Sequence, residues 1–476
     1  MSLPVGVITP DPPRSGGETA EQDREPKDQR NPVGAAKESP VQGRPAEFEA
    51  YFDCSKKQFW LQNSRGAWIP ANESQMRRQL KMEGFRSKKN DNEHVSPVEQ
   101  KLSEIHLSQD VKFAGSIAGR RIGCIDDGDG RILITSEPKL IAPVKGDWAT
   151  IKELLESLFI GRGQVNYVYG WLKCGLQALH SQEFTAGQAL AIAGERANGK
   201  SFFQNHIVTP ILGGRSAKPY RYMSGKTDFN SDLTGAEHLI IEDEVPSTKY
   251  AVRRCFGEKI KEVVANESQS CHKKGQDAFS VNPFWRLTIT LNDEPENLMM
   301  LPPIMGSIVD KVMLLKSSRA SNLPSESERA TFRARIEREL PGFVFFLLNE
   351  YQISDELKCP HGRYGVTHFH HPDILSALQE LSPEAKLHDI IQSVLFMSPV
   401  DRTWEGKAID LEHKLADSSH SHEASKILTW QGACGTYLGR LKGKHGDIYS
   451  KRTVNGTAHW TIREEIVTKA NWASGD

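Results

Sequence analysis

The clearest hydrophobic pattern in the chain is the unbroken run Ala189-Leu190-Ala191-Ile192-Ala193, followed after a polar stretch by apolar spacing of helical period over Ser201 to Val208. A short continuous apolar run predicts a strand buried on both faces, and apolar residues three and four apart predict a helix. Leu239-Ile240-Ile241 is a run of the same kind, and Trp285 to Leu291, in which Arg286, Thr288 and Thr290 alternate with apolar residues, predicts a third strand. Helical spacing over Trp148 to Ser181 predicts two or three helices leading into the first strand, and Ala330 to Tyr351 predicts another beyond the last. The expected fold class is therefore α/β and multidomain, with a parallel sheet at its centre.

The flanks read differently. Phe48 to Ala71 alternates apolar clusters with polar turns and predicts an antiparallel meander; helices are expected over Ser74 to Gly84 and Val98 to Leu107, then a hairpin of Arg121–Ile125 and Arg131–Thr135. Near the C-terminus, Ile390–Phe396, Gly406–Ala416 and Lys426–Leu441 predict three helices, and Asn455-Gly456 turns a final hairpin between Ile448 and Ile462. Three helices and a hairpin suggest a winged helix. Met1 to about Pro45 has too few large apolar residues to offset the entropy of ordering and is expected to be a disordered tail. The expected divisions are a tail at 1–45, an accessory α+β domain at 46–146, a helical bundle at 147–185, a nucleotide-binding core at 186–330, a helical connector at 331–385 and a winged-helix-like domain at 386–476.

Composition narrows this picture modestly. With 476 residues and 38% hydrophobic content the chain can bury a sizeable core. Its 60 basic and 61 acidic residues give no global field for nucleic acid, so any such contact must be local. No apolar run reaches membrane-spanning length, the start lacks a secretory pattern, and the seven cysteines form no Cys-x-x-Cys pair; a reducing cytoplasmic setting without membrane contact is expected. Cys359, His361, His368, His370 and His371 match no zinc spacing and are expected to be solvated loop residues. The turn Asp126 to Gly130 lacks the terminal glutamate of a calcium loop and reads as a tight turn.

Candidate chemistry begins between the first strand and its helix, at Gly194-Glu195-Arg196-Ala197-Asn198-Gly199-Lys200-Ser201. Two glycines, a lysine and a hydroxyl at this spacing fit a phosphate-binding loop: the glycines let the backbone approach an anion, Lys200 reaches outer phosphates and Ser201 ligates Mg²⁺. Phe202 completes the candidate ATP-binding stretch. The second strand ends in Glu242-Asp243-Glu244, about 40 residues later, a gap that a βαβ unit with one extra element can span. Asp243 is the candidate Mg²⁺ partner of Ser201, and a neighbouring glutamate would activate water, with Glu244 favoured and Glu242 in reserve. The third strand closes on Asn292, a candidate sensor of the terminal phosphate. Between the second and third strands, His272, Lys273 and Lys274 occupy the tip of a segment able to form a hairpin, suited to a phosphate backbone.

This order of motifs resembles the superfamily 3 helicases, in particular the primase-helicase ATPase branch of phages and plasmids. The resemblance covers about Trp148 to Lys316 and rests on the helical bundle, the phosphate loop, Glu242-Asp243-Glu244, the basic hairpin and the strand ending at Asn292. It implies an AAA+-like ring, hexameric, with ATP between protomers and single-stranded DNA in the channel, and a separate primase as a candidate partner. In place of the family's arginine finger the chain has Ser307 to Lys316, so Lys311 must substitute or Arg319 must reach; a lysine lacks the guanidinium fork. Arg440, Lys442, Lys444, Lys451 and Arg452 in the winged-helix-like region suit duplex phosphates, although such domains also bind proteins. The rival readings are a nucleotide-regulated DNA-binding switch without unwinding and a small-molecule kinase using the same loop.

Overall fold

The computed structural model describes residues 48–126, 128–242, 244, 250–273, 278–396, 402–454 and 456–465. The chain divides into two units, Met1–Phe48 and Glu49–Asp476, and all elements named below belong to the second. Asp127, Asp243, Lys274 and Asn455 lie outside the described residues.

The expected meander forms. Strands β1 (Ala50–Asp53), β2 (Gln58–Gln62) and β3 (Trp68–Ala71) pair antiparallel, and β4 (Asp110–Val111) adds to β1 in parallel. Helix Glu73–Met82 starts one residue earlier than apolar spacing indicated, because Asn72 and Gln75 form a reciprocal capping box. Helix Pro97–Ser108 is capped by Ser96. A second small sheet follows, β5 (Phe113–Gly115), β6 (Gly123–Asp126) and β7 (Arg131–Ile134), in the order β5-β7-β6.

Helices Ala149–Leu158 and Gln164–Ser181 then lead into the central sheet. Its strands are β8 (Ala189–Ala193), β9 (Ser216–Ala217), β10 (His238–Ile241), β13 (Arg286–Leu291) and β14 (Val312–Lys316), all parallel, in the order β14-β8-β13-β10-β9. The two-stranded hairpin of β11 (Gln269–Cys271) and β12 (Phe279–Val281) lies between β10 and β13 in the chain, where the basic loop was expected. Val312 to Leu315 read as part of a finger segment in the sequence; it is a core strand, buried throughout.

Alternation along β8 assigns the two halves of the core. Leu190 and Ile192 face helices 149–158, 164–181 and Arg329–Phe345, whereas Ala189, Ala191 and Ala193 face the opposite side with Phe256, Ile260, Val263 and Val264 of helix Tyr250–Ala265. The small alanines on that second face leave room for the large side chains of the facing helix.

Of the cluster expected to be solvated, His361 is exposed, Cys359, His368 and His370 are half-buried, and His371 is buried. Phe369 and His371 bond to Leu314 on the outer side of β14, and His370 Nε2 lies 2.9 Å from the Val312 carbonyl oxygen. This segment borrows the free edge of the sheet, which backbone pairing reveals and residue spacing does not. No group of three metal-ligating side chains converges among the described residues.

The C-terminal region also departs from expectation. Its first helix runs Pro383–Leu395, and Gly406 ends a strand, β15 (Thr403–Gly406), before helix Ala408–Ala416. The single helix expected over Lys426–Leu441 is two, Ser421–Ile427 and Ala433–Lys444, separated at Leu428–Gly432, where Gly432 adopts a left-handed conformation. Strands β16 (Tyr449–Val454) and β17 (Thr457–Arg463) form the expected hairpin, and β15 joins β17 to make a three-stranded sheet. No described helix is long and apolar enough to cross a membrane.

Candidate nucleotide site at the carboxyl edge of the sheet

The loop Gly194–Gly199 leaves β8 at the carboxyl edge of the sheet, between β13 and β14. Ligands in parallel sheets bind at this edge, because connecting loops there can surround a crevice. The loop is held tightly from one side. Asn198 is buried, its Nδ2 2.7 Å from Ser317 Oγ, and Ser317 in turn donates to the Ala193 carbonyl oxygen at 3.1 Å. The Ala320 amide donates to the Asn198 carbonyl oxygen at 3.2 Å.

Two positions show why the motif needs glycine. A Cβ on Gly194 would collide with the side chain and carbonyl oxygen of Ser317, and Gly199 has φ +108°, which side-chain-bearing residues avoid. Ala197 also takes a positive φ, 56°, so the loop turns sharply. Glu195, Arg196 and Ala197 are exposed along its outer rim.

Lys200 is buried and folds into the loop, with Nζ 2.6 Å from the carbonyl oxygens of both Gly194 and Glu195 and 3.3 Å from Asn198 Oδ1. The ammonium therefore stands where the chain wraps around it. Ser201 is exposed, but Phe202 turns away, its ring packing on His206 and Phe332 at centroid distances of 4.7 and 5.3 Å. Phe202 thus joins the fold beneath the loop and presents no side chain to its rim.

The acidic strand end reaches the same edge. Leu291 of β13 pairs with Ala193 of β8, so Asn292 and Gly194 leave the sheet level with each other, and Ile241 of β10 pairs with Ile289, so Glu242 leaves the same carboxyl edge two residues earlier. Glu242 Oε2 accepts from Asn205 Nδ2 at 3.3 Å, and Asn205 also donates to the Ser201 carbonyl oxygen at 2.9 Å. Its other oxygen accepts from Lys218 at 3.1 Å. Glu244 is half-buried near Tyr220: burial raises the Tyr220 phenol, and the Glu244 carboxylate pushes it the same way. Of the two glutamates, Glu242 is the one connected to the helix of the phosphate loop.

The remaining candidates separate. Lys311 precedes β14 and so lies at the amino edge of the sheet, opposite the loop, buried and paired with Asp310 at 2.8 Å. Arg319 is exposed and lies one residue before Ala320, beside the loop of its own chain. His272 is exposed and Lys273 half-buried at the end of β11. In the C-terminal region Lys442, Lys444 and Lys451 are exposed, whereas Arg440 is paired with buried Glu384 and Arg452 with Glu405.

Two features carried no motif. Glu294 is held below the usual carboxylate range by its own backbone amide and Asn297, with Arg196 and Lys200 adding to the effect, which puts a carboxylate at the rim of the loop. Beneath the loop, the helical run from Lys200 contains a π-helical turn, Gln204–Val208, that aims the buried Gln204 into the sheet. Gln204 Nε2 donates to Thr288 Oγ1 at 2.8 Å and Thr290 Oγ1 donates to Gln204 Oε1 at 2.9 Å; His238 joins the same network through Thr288 and Thr209. A glutamine inside an apolar helix was the only hint of this in the sequence.

These features define a mixed α/β protein with a parallel sheet and a tight polar loop at its carboxyl edge. A family model described as a family of unknown function (DUF5906) matches residues 192–300, from inside β8 to beyond β13. No curated protein matches the chain. Two apo structures of the NrS-1 C terminal region share the fold, each at a TM-score of 0.51 over 88% of this chain; identity is 11% with 97% of one covered, and 13% with 96% of the other. At that identity the likeness concerns fold alone. A JCV helicase crystal structure aligns at a TM-score of 0.21 with 11% identity over 50% of this chain and 67% of that chain, too slight a likeness to bear on the fold.

Proposed function

We propose that the chain is an ATP-dependent DNA helicase or translocase of the superfamily 3 type, with an AAA+-like core, acting in replication of a phage, plasmid or other mobile element. The observation that carries this reading is the convergence of Gly194–Ser201, Glu242 and Asn292 at one edge of a parallel sheet. A kinase for small molecules would need the loop but not the basic hairpin inserted between β10 and β13.

The loop residues fit a bound triphosphate. Glycine at 194 and 199 keeps the backbone close and free of Cβ atoms, and Lys200 would exchange the carbonyl oxygens of Gly194 and Glu195 for phosphate oxygens. Ser201 and Asp243 would hold Mg²⁺, which when bound neutralises charge on the phosphate oxygens. Glu242, already connected to the loop helix through Asn205, is assigned the orientation of the attacking water, with Glu244 behind it. Asn292 would contact the terminal phosphate.

In a sixfold ring, Arg319 would act on the nucleotide of its own chain, and Lys311 is the group a neighbouring protomer would meet after exchanging its Asp310 partner. His272, Lys273 and Lys274 would grip single-stranded DNA. The C-terminal helices and sheet would form a winged helix that meets duplex DNA through Lys442, Lys444 and Lys451, with Arg440 and Arg452 bracing it; a separate primase is a further partner of this assembly.

The test is ATP turnover and strand displacement by the intact chain with Mg²⁺. Lys200→Ala should abolish turnover and Lys273→Ala should lower its stimulation by single-stranded DNA. Turnover without strand displacement would favour the nucleotide-regulated switch, and unchanged turnover in Lys200→Ala would refute both.

A further inference from the structure

The small N-terminal sheets do not stand apart from the basic hairpin. Ile117, Ile132 and Ile134 form one apolar cluster with Cys271 and Val281 of β11 and β12, and Phe113 of β5 packs on Phe279 of β12 with ring centroids 4.8 Å apart. Two strands alone are marginal in water, so this packing gives the hairpin the third layer it needs. Its base is also pinned from the core: Asn230 Oδ1 accepts from the His272 amide at 2.7 Å, and its Nδ2 donates to the Ser270 carbonyl oxygen at 2.8 Å.

The same Phe113 ring supports the turn between β1 and β2. Lys56 Nζ lies 6.0 Å from the Phe113 centroid and 5.6 Å from that of Trp60, and donates to the Ala114 carbonyl oxygen at 3.0 Å. The buried Asp53 carboxylate fixes the turn by accepting from the Ser55 amide and hydroxyl and the Lys56 amide. Lys57 follows, exposed, at φ +52°. Burial lowers the Lys56 ammonium below its ordinary pKa; Asp53 opposes this, and the nearby charge of Lys273 adds to the lowering. Lys56 and Lys273, far apart in the sequence, are thus near enough for their charges to interact.

We propose that the β1–β2 turn, through Lys56 and Lys57, continues the surface of the hairpin at His272 and Lys273 into one site for the phosphate backbone of single-stranded nucleic acid. The inference rests on the hairpin contacting DNA. Ammonium groups that repel one another gain when a phosphate lies between them, and the backbone under both is already anchored, by Asp53 in the turn and by Asn230 at the base of the hairpin, which lowers the ordering cost of binding. The accessory sheet then acts as the second wall of the strand's path.

Binding of a labelled oligothymidylate to the intact chain, followed by fluorescence anisotropy across a salt series, tests this. Each phosphate contact on a single strand contributes a slope of about 0.7 in log K against log salt, which at about 0.15 M is about fourfold in affinity. Lys57→Gln should weaken binding about fourfold; Lys56→Gln with Lys57→Gln should weaken it about 15-fold and reduce the slope by about 1.4. Lys57→Gln alters only an exposed side chain, and its thermal midpoint should match the wild type, so a loss of affinity there is not a loss of folding. If the double variant binds like wild type while Lys273→Gln binds more weakly, the strand stops at the hairpin and the inference is overturned, with the proposed function intact. If Lys273→Gln has no effect, or the wild-type chain does not bind the oligonucleotide, the hairpin reading falls and this inference falls with it.

Discussion

Acidification should destabilise this protein through one buried imidazole. His238 is fully buried in β10, with Nδ1 2.7 Å from Thr209 Oγ1 and Nε2 2.8 Å from Thr288 Oγ1. The hydroxyl proton of Thr209 is given to the Gln204 carbonyl oxygen at 3.0 Å, so Thr209 must accept from His238 Nδ1–H. Thr288 accepts from Gln204 and therefore has its own proton to donate to Nε2. The neutral ring is satisfied at both nitrogens, and a second ring proton would meet a donor. Burial accordingly pushes the His238 pKa from 6.5 down to about 3.

The sign follows from proton counting. Between those two values the unfolded chain binds a proton at this position and the folded chain does not, so stability is full above about pH 6.5 and is lost as pH falls toward 3. From about pH 7.5 to pH 5.0 only the roughly 1.5 pH units below 6.5 count, at about 1.36 kcal/mol each, a loss of about 2 kcal/mol. Urea unfolding followed by circular dichroism at the two pH values, on wild type and His238→Gln, isolates the effect because other titrating groups are common to both. The wild type should lose about 2 kcal/mol more than the variant. The His238 imidazole resonance should show no inflection over that range in the folded chain. Equal losses in the two proteins together with an inflection near pH 6.5 would refute the buried neutral ring.

Gly194→Ala should retain the fold but weaken binding of an ATP analogue by roughly tenfold, since relieving the collision with the backbone of Ser317 costs about 1 to 3 kcal/mol and opens the loop; isothermal titration would measure it, and unchanged affinity would contradict the close approach. Arg215→Ala strands Glu237, fully buried, which otherwise accepts from Arg215 Nε at 3.0 Å and from the Gly119 amide at 2.7 Å. Breaking a buried pair on one side costs about 3 to 5 kcal/mol, so unfolding by urea should move to markedly lower concentration, and a loss under about 1 kcal/mol would show that the pair is not holding the N-terminal sheets to the core.

What the residues determined by themselves is local in origin. The spelling of Gly194 to Ser201 specifies a tight loop because Cβ-free positions and a lysine must recur at fixed intervals, and the continuous apolar runs at 189–193 and 239–241 and the alternating one at 285–291 each specify a strand. The hairpin turns and helix starts were legible for the same reason, each being governed by neighbours a few positions away. The order of strands was decided only by the tertiary structure, since pairing partners lie far apart in sequence and many orders bury the same residues. That order brings Glu242 to the loop helix and separates Lys311 from Arg319 by the length of β14, and side-chain packing sets the N-terminal sheets against the basic hairpin. The Gln204, His238, Thr288 and Thr290 network likewise became readable only when three elements met, because a polar side chain in an apolar segment announces that it needs a partner but not which one.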